Sequence, residues 1–87
     1  MLPEKLVYMA NQIGKFFASQ RDREPVAGIA EHIRMFWEPR MRHDIFVHLE
    51  QHGGAGLDPL VREAIERLRD EEAQAAQAAK TKSREKI

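Results

Sequence analysis

Phe36-Trp37-Glu38-Pro39-Arg40-Met41-Arg42 puts the chain's only tryptophan, a proline and two arginines into seven consecutive residues. Proline lacks an amide hydrogen and pushes the residue before it out of the α region. One helix therefore stops at Trp37 or Glu38, Glu38 is extended, and a second helix opens at Pro39 with almost no loop between them. Pro3, Pro25 and Pro59 stand at similar places, each where a helix can begin. The amide of the first helical position has no intrahelical partner, so proline is tolerated there. Read this way, the four prolines mark the starts of four helices.

The apolar spacing agrees with that count. After Pro3, Leu6, Met9, Ala10, Ile13, Phe16 and Phe17 recur at helical period and make one face, predicting a helix to about Ser19. Gln20-Arg21-Asp22-Arg23-Glu24 has no apolar residue and reads as a solvated connection. After Pro25, the face is Val26, Ile29, Ala30, Ile33, Phe36 and Trp37. Gly28 within it costs about 1 kcal/mol against alanine. It marks either a close helix crossing or simple tolerance of one glycine. From Pro39, Met41, Ile45, Leu49 and His52 form a stripe with Phe46 beside it, and Gly53-Gly54 ends the helix. Asp58 is placed to cap a fourth helix with Leu60, Val61, Ala64, Ile65 and Leu68 on its buried face. The expected fold is all-α, a small bundle of four short helices over residues 1–69. Residues 70–87 form a charged, alanine-rich C-terminal extension that continues as a fraying helix or is disordered, because no large apolar side chain holds it.

Composition narrows the function. A chain of 87 residues buries only roughly 60% of its surface and gains little net stability from its own core. With no cysteine, disulfides, iron-sulfur ligation and thiol catalysis are excluded. Fourteen basic and fourteen acidic side chains leave no net field for nucleic acid or anionic lipid. The N-terminus has no signal-peptide pattern and no stretch has the roughly 20 apolar residues of a membrane span, so the expected compartment is the cytoplasm.

No motif carries catalysis. His48 and His52 lie one helical turn apart, but leucine follows His48 where a zinc protease needs glutamate, and no third ligand accompanies them. Gly53-Gly54-Ala55-Gly56 follows a helix and lacks the Gly-Lys-Ser/Thr ending of a phosphate loop. Glu63 and Glu66 have nothing to desolvate them, and Ser19, Thr81 and Ser83 have no neighbouring base. The basic end from Lys80 to Lys86 has no interleaved aromatic and reads as a solubilising tail. These readings give no catalytic, cofactor-binding or metal-binding residue.

There remains the corner itself, whose mixture of tryptophan, methionine and arginine is typical of the energetic centre of protein interfaces. Phe36 is expected in the core. For Trp37 and Arg40, core and docking stand level on physical grounds, since adjacent helical residues diverge by about 100°.

Several pieces in order carry a resemblance. They are Met9-Ala10-Asn11-Gln12-Ile13 with Phe16-Phe17, Val26-Ala27-Gly28-Ile29-Ala30-Glu31-His32-Ile33, the corner, and Gly53-Gly54-Ala55-Gly56-Leu57-Asp58-Pro59-Leu60-Val61. Over about residues 8–69 the chain resembles the delta subunit of soluble, molybdenum-dependent NAD formate dehydrogenases. The family pattern implies aspartate before the proline of the corner, where this chain has Glu38. Glutamate is the poorer helix cap, so the corner here is expected to be held differently.

The resemblance implies a non-catalytic subunit of a complex that oxidises formate to carbon dioxide and reduces NAD. Molybdenum bis-guanine-dinucleotide, iron-sulfur clusters, FMN and NAD would lie on partner subunits. Docking on the large alpha subunit would use Trp37, Pro39, Arg40, Met41 and Arg42, with Phe17 from the first helix. A self-associating helical module and a small DNA-binding regulator are the alternatives.

Overall fold

The computed structural model describes residues 2–20 and 24–85, with side chains through residue 78. Four helices are found among them: α1 (Pro3–Ala18), α2 (Pro25–Phe36), α3 (Pro39–His52) and α4 (Pro59–Glu85). Each begins on a proline, as the spacing predicts. The central residues of the connection between α1 and α2, 21–23, and the side chains of the basic end from Lys80 lie outside the described residues.

The core joins all four helices. Leu6 and Ala10 of α1, Val26, Ile29, Ala30 and Ile33 of α2, Ile45 and Leu49 of α3, and Val61, Ala64, Ile65 and Leu68 of α4 are buried, with Trp37 among them. α2 packs along both α4 and α1, while α3 closes against α4 and α1. Although consecutive, α2 and α3 do not pack along each other; they meet at the corner, and α4 runs between them.

Two glycines permit close packing. A Cβ on Gly28 would lie 2.5 Å from the Phe17 ring, so this glycine is there because an aromatic side chain of α1 rests on the α2 backbone. A Cβ on Gly14 would overlap the Val61 side chain where α1 crosses α4.

The corner turns as the proline dictates, with Trp37 (φ −87°, ψ 138°) and Glu38 (φ −65°, ψ 152°) extended. Its side chains are distributed otherwise than the sequence suggests. Trp37 is buried and Phe36 is 69% exposed. At about 100° per residue, position 37 falls about 30° from the centre of the buried face made by Val26, Ile29, Ala30 and Ile33, whereas position 36 falls about 70° from it. The same arithmetic exposes Phe16 while Phe17 packs against the core.

No side-chain hydrogen bond from Glu38 caps α3. The corner is held instead by Arg42, which donates from Nη1 to the Trp37 carbonyl at 2.7 Å and from Nε to Glu72 at 3.0 Å. Arg34 of α2 reaches Glu71 at 3.2 Å. The acidic run that opens the C-terminal extension thus ties α4 to both helices of the corner, and α4 continues unbroken past residue 69.

At the opposite end, Gly53 (φ 62°) terminates α3 in the left-handed conformation and donates its amide to the His48 carbonyl. The following loop is pinned from three helices. Asn11 donates to the Gly56 carbonyl and accepts from the Asp58 amide, His48 donates to the Ala55 carbonyl, and Arg62 donates twice to the Gly53 carbonyl. Asp58 enters α4 through its backbone, with its carbonyl accepting from the Arg62 amide. His52, expected on the buried stripe, and Leu60, expected on the α4 face, are exposed.

Two substitution sets test this packing. Gly14→Ala gains about 1 kcal/mol of helix propensity but overpacks the α1–α4 crossing at a cost of about 1–3 kcal/mol, so chemical denaturation is expected to show net destabilisation. Trp37→Ala is expected to cost about 3–5 kcal/mol in the same measurement, and Phe36→Ala less than about 0.5 kcal/mol. Equal costs for the two aromatics would contradict the placement of Trp37 inside and Phe36 outside.

Candidate functional site

The most prominent exposed apolar feature lies across α1 and α2. Phe16, Met35 and Phe36 are 58%, 66% and 69% exposed. The rings form a continuous line from one helix to the other. Phe16 meets Phe17 edge-on with centroids 5.1 Å apart, Phe17 meets His32 at 6.2 Å, and His32 meets Phe36 at 4.7 Å. Met35 lies one helical turn beyond His32 on α2, beside Phe36. A hollow of about 370 Å³ opens into this strip, lined by Gln12, Ile13, Phe16, Phe17 and His32.

Local sequence explains the arrangement. His32 and Phe36 are four residues apart on one helix and so stack along its face. Phe17 can lie between the helices because Gly28 presents no side chain beneath it. Adjacent aromatics at 16 and 17 cannot share one direction, so one enters the bundle and the other remains on the rim. The exposed side chains amount to roughly 400 Å² of apolar surface, at about 200 Å² per large side chain, within the size range of the functional patches of soluble proteins.

The six residues proposed for partner binding divide. Phe17 belongs to the strip, half-buried, with its ring in contact with both Phe16 and His32. Pro39 and Arg40 are exposed at the corner. Arg34, Arg42, Arg62, Arg67 and Arg69 each have a carboxylate partner, while Arg40 has none among the described residues. Met41 is partly buried and packs on the core.

Trp37 and Arg42 are corrected. Trp37 turns inward because its position continues the α2 core stripe, so it offers no docking surface. The Arg42 side chain is only 18% exposed and is engaged by Glu72 and the Trp37 carbonyl, which makes it the internal brace of the corner. Phe16 and Phe36 take the exposed aromatic role that sequence reasoning gave to Trp37. Their position 70° or more from the core direction was the available signal.

The histidine pair is accounted for structurally. His48 and His52 rings lie 5.6 Å apart, but His48 commits Nε2 to the Ala55 carbonyl at 2.8 Å and its Nδ1 is buried without a partner. Because a carbonyl only accepts, Nε2 is the donor in this contact, and the imidazole pins the loop. Among the described residues, no three His, Cys, Asp or Glu side chains converge so as to hold a metal ion. None of the described helices is long and apolar enough to cross a membrane.

Comparison with known families agrees with the resemblance carried by the sequence. No curated protein and no solved structure matches the chain. The family model described as NADH-dependent formate dehydrogenase delta subunit FdsD matches residues 5–65, which spans α1, α2, α3 and the first turns of α4. That is well over half of the 87 residues, and the chain belongs to the formate dehydrogenase delta subunit family.

Proposed function

We propose that this chain is a non-catalytic subunit of a cytoplasmic NAD-dependent formate dehydrogenase, docking on the large molybdenum subunit and stabilising the assembled, cofactor-loaded complex. The reading rests on the aromatic strip. A bundle of this size that leaves Phe16, Met35 and Phe36 in water, next to a core that is otherwise well buried, has a face suited to a protein neighbour. Membership of a subunit family supplies the neighbour.

The chemistry of the chain supports a role without turnover. It has no cysteine for iron-sulfur ligation, and His48, one of its histidine pair, is used to hold a loop. Molybdenum bis-guanine-dinucleotide, iron-sulfur clusters, FMN and NAD are accordingly assigned to the partner subunits. On this reading Phe16, Phe36 and Met35 make the apolar contact, with Phe17 and His32 behind them. Pro39 and Arg40 extend the surface toward the corner, where the Arg40 guanidinium is free to meet a carboxylate of the partner.

The experiment is co-purification of the large subunit with tagged variants. Phe16→Ser with Phe36→Ser is expected to leave helicity and melting temperature near those of the wild type and to lower recovery of the large subunit at least tenfold. Arg40→Glu is expected to weaken association further as salt is reduced. Full recovery with the double variant would place docking elsewhere on the chain.

A further inference from the structure

The second half of α4 departs from the pattern that holds the rest of the bundle together. The helices are secured by apolar faces, yet the buried side chains of α4 end at Leu68 while the helix runs on to Glu85. Four residues beyond Leu68, on the same face and where the next core residue would fall, stands Glu72. Residues 70–78 are exposed apart from Glu72, which is partly buried. A helix that packs no apolar face is marginal in water even when rich in alanine, because most helical stability in proteins comes from packing such a face.

This segment does carry a pair of carboxylates that reach the corner. Adjacent positions on a helix diverge by about 100°, so Glu71 and Glu72 point to different sides. Glu71 meets Arg34 of α2 at 3.2 Å, and Glu72 meets Arg42 of α3 at 3.0 Å. The second contact is the better shielded, with the Arg42 side chain only 18% exposed and its Nη1 held on the Trp37 carbonyl. α4 is thus gripped from both helices of the corner at one level, just past the point where its apolar packing stops. Exposed ion pairs are weak, but a segment poised near the helix–coil balance needs little to tip it.

We propose that Arg34–Glu71 and Arg42–Glu72 form a clasp that sets the end of α4 in one of two states. Closed, the clasp extends α4 past Arg69 as a helical arm fixed to the corner. Open, the helix ends near Arg69 and the residues beyond it become a charged tail. Because Arg42 also holds the Trp37 carbonyl, the state of the arm is coupled to the corner, and whatever draws Arg42 away from Glu72 releases the arm.

Hydrogen exchange on the full chain, read amide by amide, distinguishes the two states. Glu71→Ala with Glu72→Ala removes both carboxylates while placing the best helix former at each position. If intrinsic propensity held the arm, this variant would protect amides 73–78 as well as the wild type or better. The clasp predicts the opposite sign: protection over residues 73–78 falls at least about fivefold, while the amides of Ile29, Ile33 and Ile65 keep their wild-type protection. Glu63→Ala, the same substitution about two turns earlier on α4, is expected to leave residues 73–78 unchanged. Unchanged or increased protection of the arm in the double variant overturns the inference. So does a loss that spreads equally through the core, which would make the pairs part of global folding and not a local clasp.

Discussion

Pro39 forbids α2 from continuing, and the two extended residues that precede it redirect the chain before α3 can begin. Much of the architecture follows from how that turn is secured. The buried Trp37 ring anchors the turn to the core, and Arg42 ties the Trp37 carbonyl to Glu72 of α4. α2 and α3 do not pack along each other; α4 bridges them through its buried Val61, Ala64, Ile65 and Leu68, and Arg34–Glu71 and Arg42–Glu72 tether its continuation to the corner. Surface ion pairs contribute little individually, about 0–1 kcal/mol. Here their role is to set the register of a helix whose apolar stripe ends at Leu68.

The far end of the bundle is secured by other means. Three polar side chains from three helices satisfy the carbonyls of a glycine-rich loop. Asn11 is the most economical of them, since one amide both donates to Gly56 and accepts from Asp58. Of the features that resemble catalytic or ligand-binding motifs, His48 and the glycine run are thereby spent on the fold. Both ends of the bundle are committed to internal contacts, while the ring strip across α1 and α2 leaves Phe16 and Phe36 exposed to solvent.

Residue periodicity and the prolines were sufficient for four helices, their starting points and nearly every buried aliphatic residue. An amide-less residue and a 3.6-residue period act locally, and nothing in the tertiary structure needed to be known to use them. The sequence also carried the family resemblance and the absence of thiol chemistry. Only the tertiary structure decided which member of each aromatic pair turns inward. Phe16 against Phe17 and Phe36 against Trp37 differ by a rotation about the helix axis whose outcome depends on where α1 and α4 lie. It also decided that Arg42 would serve as a brace and that the acidic run after Arg69 would hold α4 to the corner. Those contacts join residues 30 or more positions apart, and their formation depends on helix packing, which local spacing does not encode.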